Sequence, residues 1–309
     1  MNQGTVDVVV PTNRVSRFLP AALASVREQR YPLWRIVIVD DGSGAPEELE
    51  RLASDLPSTT VIHQQHAGVS AARNAAIRSG SGEFVAFLDD DDLWPPERLG
   101  QLVATLQASP DAAGVFGNGR YIDADGRVFG QWTTKPATRE EFLSRATPIP
   151  RIVALLVRRS ALERVGLFDE RLAFSEDDEL ILRLLRDAPL VSSMTVVVDY
   201  RRHDHNVTRA DWRARHRSAR AAILANIASA HQFGHEEQVT LLQRYLRRQD
   251  AWTAEGSAGR VIGDLKARRF RAAALDLRDS VRIAPLGFLR GAIQTVVSKL
   301  RSRVRRRRS

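Results

Sequence analysis

The chain has no cysteine in 309 residues, which excludes disulfides and thiolate metal sites and agrees with a reducing compartment. No apolar run approaches the roughly 20 residues that a membrane-spanning helix needs. Residues 1–12 lack the basic-then-apolar pattern of a secretory leader, so the cytoplasm is the expected location. Aromatic residues are only 6% of the chain and none is interleaved with the basic residues of 299–309, so no nucleic-acid partner is expected. Acid and base are also unevenly placed. Seven basic residues and no acid fall in 299–309, and removing those seven from a net charge of +9 leaves +2 for everything else. The basic character therefore belongs to the tail. What remains is ordinary for a globular protein: 43% hydrophobic and 27% charged residues, in a length that suits one large domain or two modest ones.

Strand and helix patterns alternate through the first third. Val6–Val10, Ile36–Val39, Val61–Ile62 and Phe84–Leu88 are short apolar strand patterns. Between them lie helix patterns: one capped by Ser16 and carrying Phe18 to Val26, one over 46–56 and one over 68–79. This alternation predicts βαβ units and a mainly parallel sheet, whose ligands bind at the carboxyl ends of the strands. The middle suggests strands at 114–118 and 121–128 around an Asp125-Gly126 turn, at 152–157 and at 196–200. Short helices are expected at 160–165 and 179–186. Beyond 211 only helix patterns remain, over 221–230, 236–247 and 266–281, with Gly256–Gly259 read as a break. The expected organisation is an α/β domain over 1–210 and a helical C-terminal region over 211–309.

The stretch FLDDDDLWPP, residues 87–96, sets four carboxylates in a row where a buried strand ends. Adjacent like charges repel by about 3 kcal/mol per close pair at an effective dielectric near 20. A divalent cation with hard oxygen ligands, Mg²⁺ or Mn²⁺, relieves such repulsion and shares its coordination with substrate phosphates.

Four blocks, VDVVVPTNRVSRFLPAALASVREQRYPLWRIVIVDDGSG, HAGVSAARNAAIRSGSGEFVAFLDDDDLWPPERL, VRRSALERVGLFDERLAFSEDDELILRLL and VDYRRHDHN, follow in this order. Together they resemble the family 2 glycosyltransferases over roughly residues 5–210. The resemblance implies a GT-A fold, a Rossmann-like nucleotide-diphospho-sugar transferase sheet, here with a helical C-terminal extension. It implies inverting transfer of a sugar from a nucleotide-sugar donor to an acceptor hydroxyl on a glycan or lipid-linked glycan, in cell-surface polysaccharide or glycolipid synthesis. Pro11, Thr12 and Asp41 are placed at the nucleotide, Arg73 at the diphosphate, and Asp89 and Asp90 at the ribose or metal waters. Asp91 becomes the principal metal ligand, joined by His203, with less support for His205. Asp177 becomes the general base, with Glu176 and Asp178 as competitors, and Asp92 is expected to cap the next helix. Two positions depart from the family pattern: Asn13-Arg14 stand where an aromatic and Asn are usual, and His66 stands where Asn is common.

The C-terminal stretch combines Leu286, Phe288, Leu289, Ile293, Val296, Val297 and Leu300 with the arginine tail. That pattern fits peripheral binding of residues 286–309 to an anionic membrane surface. Two other functional classes fit part of the chain. A nucleotidyltransferase also uses metal-binding aspartates on a parallel sheet, but PTNRVSRF lacks the glycine cluster of its phosphate loop. A non-catalytic, membrane-associated binding protein leaves the SEDD block without a purpose.

Overall fold

A computed structural model describes the backbone of residues 2–203 and 211–306, and the side chains of 4–203 and 211–295. His205 and the outer part of the 286–309 segment lie outside the described side chains. Eight strands form one sheet: β1 (Asn2–Thr12), β2 (Trp34–Asp41), β3 (Thr59–Gln64), β4 (Gly82–Phe87), β5 (Gly114–Ile122), β6 (Val128–Trp132), β7 (Leu155–Arg158) and β8 (Leu190–Arg201). Their order is β3-β2-β1-β4-β7-β5-β6, with β8 paired to β5. The β1–β2, β1–β4, β2–β3 and β5–β8 pairs are parallel; β7 runs antiparallel to β4 and β5, and β6 antiparallel to β5. The core strands are apolar runs because both faces of the sheet are covered: Val8, Val9 and Val10 of β1, and Phe84 to Leu88, are fully buried.

Helices α1 (Leu19–Arg27), α2 (Pro46–Ser54), α3 (Val69–Ser79) and α4 (Arg98–Gln107) cross over between the first strands. Then follow α5 (Arg139–Leu143), α6 (Arg159–Val165) and α7 (Glu176–Asp187). Ser16 does not cap α1 as expected: its Oγ accepts from the amide of Phe18 at 3.3 Å, in the turn before the helix. The segment 152–157 is only half strand, because Ile152–Ala154 forms a 3₁₀ turn before β7. The 121–128 strand divides at the Asp123–Arg127 turn, leaving β5 and β6 as an antiparallel pair.

The rest is helical: α8 (Trp212–Gln232), α9 (Glu236–Lys266), α10 (Phe270–Ile283) and α11 (Pro285–Arg306). The break expected at Gly256–Gly259 is absent, and α9 continues through it for 31 residues. Packing supplies what propensity lacks. Helices α10 and α11 lie along α9, and Gly287 and Gly291 let α11 approach so closely that an added Cβ would sit 2.6 Å from the Ala251 carbonyl and 2.1 Å from that of Glu255. Ile223, Ala230, Val239, Leu242 and Tyr245, all beyond 210, join the same buried core as the sheet. No described helix is long and apolar enough to cross a membrane.

Candidate active site

The carboxyl ends of β1, β2 and β4 meet the start of α7 around an open cavity of about 500 Å³. Pro11, Thr12, Asp41, Arg73, Asp89, Asp90, Asp91 and Asp177 all line it. These residues come from five chain segments: the ends of β1, β2 and β4, the start of α7, and, for Arg73, the body of α3. His203 lies behind the wall, with Nε2 2.8 Å from Asp91 Oδ2 and its ring stacked on Phe18 at 4.9 Å.

The carboxylates differ sharply in their surroundings. Asp41 Oδ1 accepts from the amide of Ala67 (2.7 Å) and from Gln64 Nε2 (2.8 Å), and Oδ2 accepts from the amide of Gly68 (2.9 Å). His66 Nδ1 also stands 2.9 Å from Oδ2, so Asp41 fixes the loop that leads into α3. Thr12 Oγ1 lies 2.6 Å from Asp90 Oδ2. Burial first, then the charges of Asp91 and Asp89, push the Asp90 carboxyl up to about 6. Burial and Asp89 push Asp91 up to about 7, against the pull of Arg14 and Arg201. Burial and the same two arginines hold the His203 imidazole below its ordinary value, so its ring is neutral at physiological pH.

Asp92 is a different object. It is fully buried, and Oδ1 accepts from the amide of Arg201 at 2.9 Å. The expected role as a helix cap does not hold, because α4 begins six residues later, after Glu97, with no side-chain cap. Instead Asp92 opposes the charge effects of burial on Arg98, whose guanidinium bonds the carbonyls of Val153 and Val197, both at 2.7 Å. Three aspartates of the run face the cavity, and the fourth belongs to the scaffold beneath it.

Arg73 connects the two acidic blocks. It is buried, donating from Nη2 to Asp89 Oδ1 (2.9 Å) and from Nη1 to Glu176 Oε1 (3.0 Å). Its fork is thus engaged by carboxylates on both sides of the cavity. Ser175, the residue before α7, adopts φ +60°, a left-handed conformation that costs about 1 kcal/mol or more for a residue with a Cβ. Ser218 of α8 donates a hydrogen bond to the Phe174 carbonyl next to it. This turn presents Glu176, Asp177 and Asp178 together, with Asp177 Oδ1 accepting from the amide of Asp178 at 2.8 Å. Burial, then Asp177, push Asp178 up to about 7, with Arg145 and Arg215 opposing.

Several site residues carry no signal in the sequence. Arg215 lies in a helix beyond the α/β body, and Arg151 in an irregular segment, yet both line the cavity. Tyr200 and Arg201 were within reach, being part of VDYRRHDHN. Arg201 is buried and donates from Nε to the Asp91 carbonyl at 2.8 Å, fixing the backbone of the acidic run.

Among the described residues, no three His, Asp or Glu side chains converge to hold a cation unaided. The donors present suit one that takes its other ligands from diphosphate and water: an Asp91 carboxyl raised by burial and by Asp89, beside a neutral His203 imidazole.

Residues 7–166, just over half the chain, match the family described as "Glycosyl transferase family 2". The chain is 31% identical over 189 residues to the "Putative colanic acid biosynthesis glycosyl transferase WcaA" of Escherichia coli (strain K12), covering 60% of this chain and 67% of that one. It is 27% identical over 124 residues to the "UDP-Glc:alpha-D-GlcNAc-diphosphoundecaprenol beta-1,3-glucosyltransferase WfgD" of Escherichia coli, covering 40% and 49%. The matches thus span about half to two thirds of the length of these relatives. Staphylococcus aureus TarS, solved in complex with UDP-GlcNAc, superposes with a TM-score of 0.62 at 20% identity, covering 78% of this chain and 72% of that one. The shared fold is GT-A. The chain belongs to glycosyl transferase family 2.

Proposed function

We propose that the protein transfers a sugar from a nucleotide-diphosphate sugar to an acceptor hydroxyl with inversion, in the synthesis of a surface polysaccharide or a lipid-linked glycan. The observation that carries this reading is the single cavity in which Asp89, Asp90 and Asp91 at the end of β4 face Glu176, Asp177 and Asp178 at the start of α7. One block offers oxygen ligands for a donor's cation and ribose; the other offers a base. Similarity to WfgD, named for UDP-glucose and a diphosphoundecaprenol-linked acceptor, supports a nucleotide-sugar donor and a lipid-linked acceptor.

Asp91 and His203 would hold Mg²⁺ or Mn²⁺, which supplies positive charge to the departing diphosphate. Asp177 takes the proton of the acceptor hydroxyl as that oxygen attacks the anomeric carbon and the bond to the diphosphate breaks. One essential carboxylate suffices, because diphosphate leaves as an anion and needs no proton. Arg73 ties Asp89 to Glu176, so the two halves of the site keep their spacing.

The acceptor's lipid would bring the enzyme to a membrane. With Gly287 and Gly291 turned to α9, helix α11 leaves Leu286, Leu289 and Ile293 exposed, and the arginine tail follows. An anionic lipid surface suits both.

A thermal-shift panel of UDP-, GDP- and dTDP-sugars with and without Mn²⁺ tests the donor assignment. Stabilisation by at least one nucleotide sugar that requires the cation is the expected result. No cation-dependent stabilisation by any of them contradicts the proposal.

A further inference from the structure

An aromatic strip leads from the sheet edge to the cavity wall. Phe129 and Trp132 on β6, Tyr121 on β5 and Tyr200 on β8 follow one another across three paired strands. Tyr121 and Phe129 are stacked at 6.0 Å, Tyr121 and Trp132 lie 5.0 Å apart, and Tyr200 stands 6.2 Å from both Tyr121 and Trp132. Register explains the row: Tyr121 pairs with Tyr200 on one side and Gly119 with Trp132 on the other. Gly119 has no side chain, and the six-membered ring of Trp132 lies in that space, where a Cβ would come within 2.1 Å of it. The outer end is open, with Phe129 56% exposed on the last strand of the sheet. The inner end, Tyr200, is part of the cavity wall.

Arg151 sits at the junction. Its guanidinium carbon lies 4.8 Å from the Trp132 ring, 5.4 Å from Tyr200 and 5.8 Å from Tyr121, and Nη2 donates to the Tyr121 hydroxyl at 3.0 Å. Arg151 lines the cavity as well. Arg202 adds a second guanidinium 4.2 Å from the centre of the Tyr121 ring.

We propose that this strip is a carbohydrate subsite, which binds the acceptor's glycan beyond the sugar that reacts. The inference rests on the glycosyltransferase reading for the place of the reacting hydroxyl, and on the strip itself for the class of ligand. A pyranose presents a C–H face to an aromatic ring and a rim of hydroxyls to guanidinium and phenol donors. Here the exposed ring of Phe129 offers such a face, and the guanidinium groups of Arg151 and Arg202 stand beside the rings that follow it. An isoprenoid chain would desolvate Arg151 and Arg202 without giving them acceptors. A polyphosphate would use the arginines and leave the exposed ring of Phe129 without a partner. Continuity with the cavity gives direction: the chain's reactive end lies at Tyr200, and its remaining sugars extend toward Phe129.

The test uses the full-length protein on an array of di- to hexasaccharides built from hexoses, N-acetylhexosamines, deoxyhexoses and uronic acids, with the matching monosaccharides. UDP binding by calorimetry is measured in parallel. At least one oligosaccharide should bind more tightly than its monosaccharide. Phe129→Ala, at an exposed position that leaves the fold intact, should weaken that binding about tenfold, the scale of one lost ring contact. Trp132→Phe, which keeps a ring over Gly119, should weaken it less, and neither variant should alter UDP binding. No oligosaccharide binding, or binding indifferent to Phe129→Ala, overturns the proposal. So does binding of polyprenyl phosphate micelles, in place of saccharides, that Phe129→Ala abolishes. Loss of UDP binding by the wild type with glycan binding intact would instead overturn the donor assignment and leave the subsite standing.

Discussion

Arg98 heads the large side chains that the fold buries completely, and its replacement by leucine probes how the acidic run is held. The guanidinium donates to the carbonyls of Val153 and Val197 at 2.7 Å and of Leu155 at 3.2 Å, and lies 4.0 Å from the centre of the Trp94 ring. One side chain thus pins the 3₁₀ turn, β7 and β8 beneath the loop that carries Asp89 to Asp91. Burial draws its pKa down to about 9, with Asp92 opposing, so it is charged at neutral pH. Arg98→Leu leaves three buried carbonyls without donors, at about 1–3 kcal/mol for each group left unsatisfied. It also removes the guanidinium whose charge is coupled to Asp92, a carboxyl that burial and then the charges of Asp91 and Asp89 push well above its ordinary value. These losses overlap, so a total of about 3–5 kcal/mol is expected, a large part of the 5–15 kcal/mol typical of a domain. Urea denaturation followed by far-UV circular dichroism measures it. The cycle is completed with Asp92→Asn and the double variant, whose loss should fall short of the summed single losses by about 1 kcal/mol, because the charge coupling of the two sites is counted in both singles. A loss below about 1 kcal/mol for Arg98→Leu, or strict additivity in the cycle, would refute this account of Asp92.

Two further predictions concern pH and the membrane. The Asp178 carboxyl, raised from an ordinary 3.8 to about 7, favours its protonated form in the fold, so its contribution is complete below about pH 4 and lost as pH rises through 7. Asp178→Asn should therefore gain on the wild type by about 1–2 kcal/mol between pH 5 and pH 8, less than the full shift implies because the group is only half-buried. Urea midpoints of both proteins at the two pH values check this; parallel pH profiles would contradict it. Replacing Leu286, Leu289 and Ile293 together by serine should weaken co-sedimentation with phosphatidylglycerol vesicles by about tenfold or more, since each exposed side chain would lose about 1.5 kcal/mol or more of burial in lipid. Equal binding of both proteins, or wild-type binding to neutral vesicles as strong as to anionic ones, would contradict a surface that combines apolar and basic contacts.

Much of the fold was legible because it obeys local rules. The parallel strands are short apolar runs, and the acidic residues stand where those runs stop, so Asp41 and Asp89 to Asp91 could be placed without coordinates, whereas Asp177, in the first turn of α7, was placed by the family resemblance of its block. Asp92 could not be separated from its neighbours, because its role depends on Arg98 and Arg201, distant in sequence and brought together only by packing. Propensity also failed for α9, where the glycines at 256 and 259 argue for a break and the packing of α10 and α11 overrides them. The extent of β8 was understated, since Ser192 to Thr195 offer little apolar pattern: Ser192 pairs with Phe116 of β5, and the irregular stretch after it is tied to β5 by hydrogen bonds from Ser193 to the Phe116 carbonyl and from Asn118 to the Met194 carbonyl. Arg151 and the aromatic strip were invisible for a related reason: Tyr121, Trp132 and Tyr200 look like scattered residues until strand register aligns them.

The most direct test of the central claim compares two conservative changes in the cavity. Calorimetric titration of UDP with Mn²⁺ into Asp91→Asn and Asp177→Asn should separate binding from chemistry. The account predicts that Asp177→Asn binds UDP as the wild type does but loses about 10²–10⁴-fold in sugar transfer, the range expected for removal of a general base. It predicts that Asp91→Asn loses the Mn²⁺-dependent part of UDP binding. Wild-type transfer by Asp177→Asn, or undiminished Mn²⁺-dependent binding by Asp91→Asn, would contradict it.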